Sequence, residues 1–261
     1  MKPNGYIIYR GPSALDGAPI VVIVTGTAKS SANAKTGDML QTWILREDVA
    51  PHIAIKTGED SSICGSCPHR GEHDGTRWTK TRTCYVQTHN APLSVWKAYH
   101  RGNYPDISDS PIVRGPLFDF SAAIADIGRG RVVRMGSYGD PMAAPLTAWQ
   151  SLTAHAKGWT GYTHQWRSSA SHAWQALIMA SADTELDHAT ATNQGWRTFR
   201  VMPTGATFDK KAEVLCPASA EAGNKSTCAS CQLCQGATSK ARKSVAIYVH
   251  GSGAAAFSRA A

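Results

Sequence analysis

The chain has 261 residues, of which 42% are apolar, 18% charged and 8% aromatic; 27 Lys plus Arg against 19 Asp plus Glu give a formal net charge of +8. That apolar content excludes an intrinsically disordered chain, and no unbroken apolar run approaches the ~18 residues of a membrane-spanning helix. The length excludes a small disulfide-stapled scaffold and suits one large domain or two modest ones.

Met1 to Tyr6 shows no charged lead into an apolar stretch, and Ile20 to Val24 is short and β-branched, the composition of a buried strand rather than of a signal peptide. The expected setting is a reducing cytoplasm, where closely spaced cysteines bind metal more often than they pair.

Strands are predicted over 6–9 and 20–24, separated by the turn-rich Gly11-Pro12-Ser13, with a polar stretch over 28–38 and a further short strand over 52–56. From residue 92 the rhythm becomes regular. Helices are predicted over 92–100, 116–127, 145–156, 169–174 and 184–194, several closed by glycine, the last capped by Asp183. Between and after them lie short apolar strands over 131–135, 160–166, 176–180, 197–202 and 244–250. This alternation predicts an α/β protein of parallel βα units, either a complete or partial, irregular (β/α) barrel or an open sheet. The expected organisation is one domain over 1–250 with Cys-rich insertions at 60–90 and 214–236, then a weakly ordered Ala-rich tail over 251–261.

In parallel βα architectures, ligand-facing groups gather at the carboxyl ends of strands. The predicted strand ends deliver Asp140, His164, Asp183 and His250 to one rim, where carboxylates and imidazoles support proton transfer or orient a polar substrate. The simpler roles are a turn at Asp140-Pro141, a helix cap at Asp183 and an interior imidazole at His164. Gly136 and Gly139 would admit close approach of a ligand to the backbone.

The seven cysteines fall into two tight groups. The first is Cys64-Gly65-Ser66-Cys67-Pro68 with Cys84 further on; His69, His73 or His89 could complete a zinc site there. Three thiolates on a four-iron cluster would instead leave one iron open to a substrate or to S-adenosylmethionine. The second group is Cys216-Pro217 followed by Cys228, Cys231 and Cys234, enough to saturate one zinc or one [4Fe–4S] cluster, and its CxxCxxC run with a remote Cys-Pro favours the cluster. Ligands from both groups could also meet in one site.

Basic residues form small clusters at Arg77-Trp78-Thr79-Lys80-Thr81-Arg82 and Lys240-Ala241-Arg242-Lys243. These are either solvated surface or a rim for nucleic acid, the aromatic Trp78 suiting a single strand.

The order Cys-x-x-Cys-Pro, Cys84-Tyr85, a strand ending in Gly139-Asp140, Tyr162-Thr163-His164 and a terminal Cys-Pro…CxxCxxC resembles bacteriophage-encoded, radical-SAM-like iron–sulfur proteins of unassigned function, over roughly residues 50–250. The resemblance implies a partial βα barrel with a cluster at the top of its strands, in the cytoplasm of an infected host. The radical-SAM signature CxxxCxxC is absent, so what carries over is restricted to the cysteines as cluster ligands, with Asp140 and His164 on the rim. The leading expectation is an iron–sulfur enzyme acting on a nucleotide or nucleic acid. Its alternatives are a zinc-stabilised nucleic-acid-binding or interaction protein without catalysis, and a base-modifying enzyme using Asp140 and Asp183 with structural zinc.

Overall fold

The N-terminal residues form an antiparallel meander whose middle strand is the most apolar segment of the chain. In the computed structural model, which describes residues 3–30, 33–109, 119–237, 242–251 and 253–260, β1 (Gly5–Pro12) pairs with β2 (Pro19–Thr25), and β2 with β3 (Leu40–Arg46). Ile20 to Val24 are wholly buried. Each such side chain contributes about 1.5–3 kcal/mol on leaving water, so this run anchors the first sheet.

The next segment departs from expectation. Residues 52–56 belong to helix α1 (Pro51–Thr57), not to a strand: Pro51 sits at its first turn and Gly58, at φ 82°, ends it in the left-handed conformation. Helix α2 (Ser61–Cys64) follows, then a 3-10 turn (Pro68–Arg70) and a small hairpin of β4 (Glu72–His73) and β5 (Trp78–Lys80). Helix α3 (Ala91–His100) agrees with the sequence. Helix α4 (Phe120–Gly128) occupies the described part of the predicted 116–127 helix, whose first residues lie outside the described residues.

The remaining elements supply parallel βα structure. They are β6 (Val132–Tyr138), α5 (Leu146–Thr153), β7 (Gly158–Thr160), β8 (Tyr162–Thr163), β9 (Met179–Ala182), α6 (Glu185–Asn193), β10 (Thr198–Met202), β11 (Glu213–Leu215), α7 (Cys228–Cys231), β12 (Ser244–Tyr248) and α8 (Ala254–Ala260). The first sheet has the order β1-β2-β3-β6-β7, with β3, β6 and β7 parallel. The second, β11-β12-β10-β9-β8, is parallel throughout.

One predicted strand, 160–166, therefore divides between two sheets. Gly161 alone separates β7 from β8, and a Cβ there would stand 2.6 Å from Ile178 Cγ2 and 2.7 Å from Met135 Cε. Only glycine lets the chain pass so close to the core as it moves from one sheet to the other. Gly136 and Gly139 likewise serve the chain and not a ligand: Cβ atoms there would meet Gly139 O at 2.5 Å and Ile44 Cβ at 2.7 Å, and both have positive φ.

Two further expectations are corrected. Thr184, not Asp183, caps α6 by accepting from the Asp187 backbone N–H. The Ala-rich tail forms α8, whose Phe257 is buried; it is the one large apolar side chain in that segment. No helix among the described residues is long and apolar enough to cross a membrane.

Candidate functional site

The Cys64-x-x-Cys67-Pro loop is built by short-range constraints and fastened to strand ends. Ile63, 1% exposed, anchors α2 in the core, and its carbonyl accepts from the Asp140 N–H at 2.6 Å. Gln165, just beyond β8, donates through Nε2 to Cys64 O at 3.1 Å, and its Oε1 accepts from Ser66. Pro68 opens the 3-10 turn that follows Cys67, and the His69 carbonyl accepts from the N–H groups of Thr83 and Cys84. Cys84, far along the chain, is thereby drawn onto the same loop.

The second group is held from another side. Cys216 follows β11 and donates its N–H to Ala246 O of β12. Thr227 caps α7, while Cys228 and Ala229 donate to the carbonyls of Lys35 and Thr36. The buried Arg197 guanidinium gathers the loop around Cys234: Nη1 donates to Gln235 O and Gly236 O, and Nη2 to Leu233 O and Lys243 O. One planar fork thus satisfies four carbonyls that would otherwise be buried without donors.

The two groups share one cavity of about 400 Å³, lined by Cys67 and Cys84 of the first and by Cys216, Cys228, Cys231 and Cys234 of the second; Cys64 packs against the core instead. All seven thiols are free. Alternate residues of β10 and β12, among them Phe199, Val201, Val245 and Ile247, give the cavity an apolar floor. Thr160 and Tyr162, two residues apart across Gly161, also line it together.

The spacing of the sulfurs is informative. Among the described residues, the three-ligand groups whose donor atoms lie within 4.8 Å of one another reduce to His69, His164 and Asp183; no three cysteine sulfurs meet that condition. The electrostatics are equally polarised. Burial pushes the thiols of Cys64, Cys84, Cys216, Cys228 and Cys234 up. Burial also pulls the Lys35 ammonium down, against the thiolates of Cys216 and Cys228. Lys35 Nζ lies 2.9 Å from His250 Nε2, and Arg134 donates to Tyr85 OH at 2.6 Å; neither cation has a carboxylate partner among the described residues.

The rim residues separate into two classes. His164 and Asp183 line the cavity and touch, as expected from their strand ends, and His69 joins them. Burial opposes a charged His164, but Cys67 and Asp183 outweigh it and lift the ring well above its ordinary pKa. Burial would raise Asp183, yet hydrogen bonds from His164 and His69 hold it below the usual carboxylate range. Asp140 does not line the cavity. Its Oδ1 accepts from the Met142 N–H, and its Oδ2 from Thr163 Oγ1 and the His164 N–H, so it braces the loop that carries His164. As a reacting carboxylate it is badly placed; as a positioning residue it is well placed.

Neither His73 nor His89 reaches the cavity; His73 packs edge-on against Trp78 in the hairpin, and His89 is exposed. The hairpin cations have acidic neighbours, Arg77 near Asp74 and Lys80 near Glu72, each pair 3.8 Å apart, which lowers the local positive field. Of the second basic cluster, Lys240 and Ala241 lie outside the described residues. Sequence reasoning gave no role to Lys35 or Arg134, and named Tyr85 only as the neighbour of Cys84. Arg134 alone had a signal, a cation between apolar residues of a predicted strand. No known protein family, curated protein or solved structure matches this chain.

Proposed function

We propose that the chain is an iron–sulfur enzyme whose two cysteine groups hold [4Fe–4S] clusters at one shared cavity. Cys64, Cys67 and Cys84 would hold the first, and Cys216, Cys228, Cys231 and Cys234 the second. The observation that carries this reading is the gathering of six cysteines on one cavity, with no three of their sulfurs within 4.8 Å of one another. Tetrahedral zinc, with Zn–S near 2.3 Å, needs its sulfurs about 3.8 Å apart. A four-iron cluster seats each thiolate on a different iron and needs them farther apart.

Orphaned donors support the fit. Tyr138 OH and Arg82 Nε are buried without a hydrogen-bond partner among the described residues. Tyr138 is coupled electrostatically to Cys64 and Cys84, and Arg82 to Cys84. Such donors are what cluster sulfides and ligating thiolates accept from. At the second group, Lys35 and Arg134 offset the charge of four thiolates.

Under this reading the two sheets act as one partial barrel bent at Gly161, in keeping with the radical-SAM-like proteins that the cysteine order resembles. A cluster held by three cysteines supplies one-electron chemistry at an iron open to a substrate. His164 and Asp183 line the cavity together with Cys67, Tyr85 and Phe257. The substrate class is a nucleotide or the end of a nucleic acid strand, because the apolar floor accepts a flat base and Lys35 and Arg134, which have no carboxylate partner among the described residues, attract phosphate.

Anaerobic reconstitution with iron and sulfide, followed by electron paramagnetic resonance of the reduced protein, tests the assignment. Two cluster signals are expected, one lost in Cys67→Ser and the other in Cys231→Ser. A colourless protein that takes up stoichiometric zinc through the same cysteines would refute it.

A further inference from the structure

His69, His164 and Asp183 come from three separate segments and converge inside the cavity without involving a cysteine as ligand. We propose that these three side chains bind one divalent transition-metal ion, distinct from whatever the cysteines hold. His69 Nε2 lies 2.8 Å from Asp183 Oδ1, and His164 Nε2 lies 3.1 Å from Asp183 Oδ2. Metal–nitrogen and metal–oxygen bonds near 2.1 Å put neighbouring donors about 3.0 Å apart at right angles and about 3.4 Å apart in a tetrahedron. One donor atom from each of the three lies within 4.8 Å of the other two, close enough for a single ion to draw them together, and no three cysteine sulfurs meet that condition.

The surroundings have the form expected around metal ligands. A ligating imidazole has its remote nitrogen fixed by a partner, which sets the tautomer and the ring plane. His69 Nδ1 is 2.7 Å from Thr83 Oγ1. The backbone N–H of His164 is held by Asp140 Oδ2 at 3.0 Å, and its ring packs edge-on against His69 with centroids 5.4 Å apart. Phe257 packs on His69 with ring centroids 5.5 Å apart. Two imidazoles and one carboxylate suit Fe(II) or Zn(II) and leave positions open toward the cavity, as in catalytic rather than structural sites. Such an ion would polarise a phosphoryl or carbonyl oxygen of a bound substrate.

Cobalt(II) titration of the cluster-reconstituted full chain tests this. One equivalent should bind with visible ligand-field bands and no intense thiolate-to-cobalt charge transfer. Binding should weaken at least about a hundredfold in His69→Gln and Asp183→Asn, and about tenfold in Thr83→Val, with iron content unchanged. In the unaltered chain, Zn(II) should shift the Nε2 resonances of two histidines, independently of how the variants fold. Cobalt seen only through thiolate charge transfer, with affinity unchanged in both ligand variants, would overturn the proposal and leave the trio a hydrogen-bonded relay. Failure of the clusters alone would appear as missing iron and sulfide, with the nitrogen-ligated cobalt still bound.

Discussion

Tyr138 buries a hydroxyl that no described group accepts from, beside the first cysteine group. If a cluster is the acceptor, Tyr138→Phe should leave the metal-free protein as stable as before, because the lost group was unsatisfied. The same change should lower the reduction potential of the first cluster by on the order of tens of millivolts, measured by redox titration, because hydrogen bonds to cluster sulfurs raise it. Arg197 makes the opposite case. Lysine cannot replace a fork that donates to four carbonyls. Arg197→Lys should cost about 3 kcal/mol, or roughly 6–12 °C in Tm, and iron analysis should show selective loss from the second group. Asp140 marks the limit of sequence reading at this scale: its strand-end position was legible, but not that its carboxylate is consumed by Met142, Thr163 and His164. Hydrogen bonds between distant segments leave no local pattern.

Element types were legible where period and punctuation agreed, as in β2, α3, β6, β10 and β12. They were not where a short apolar run fits two periods. Residues 52–56 read as a strand until Pro51 and Gly58 are given their helix-boundary roles, and β3 was overlooked because its polar flanks resemble loop. The division at Gly161 depends on packing against Met135 and Ile178, which no local pattern encodes. Helix α8 offers a test at this scale. Phe257→Ala removes the ring covering His69 and should cost about 3 kcal/mol; spectroscopy in air should show the first cluster bleaching faster than the second. Helix α6 offers another. Burial holds His188 below its ordinary value, near Glu213 and Arg200, so it is neutral in the fold where the unfolded chain takes up a proton. Its contribution is complete above about pH 6.5 and is lost as pH falls from there through the folded-state value. Thermal melts of His188→Gln should therefore show a flatter decline between about pH 7 and 5 than the parent protein.

The whole molecule brings together cysteines separated by most of the chain. The sequence divides them three and four; the fold places six of them on one cavity, also lined by an imidazole–carboxylate trio of which His164 and Asp183 were foreseen on one rim with Asp140 and His250. What could not be read was the meeting of the groups on one cavity, because it depends on how α7 docks on the segment bearing Lys35 and how Cys84 returns to His69. Iron and acid-labile sulfide counted per chain in anaerobically prepared protein bear on this arrangement most directly. Two four-iron clusters require about eight of each. Zinc at the cysteines with no labile sulfide would contradict it.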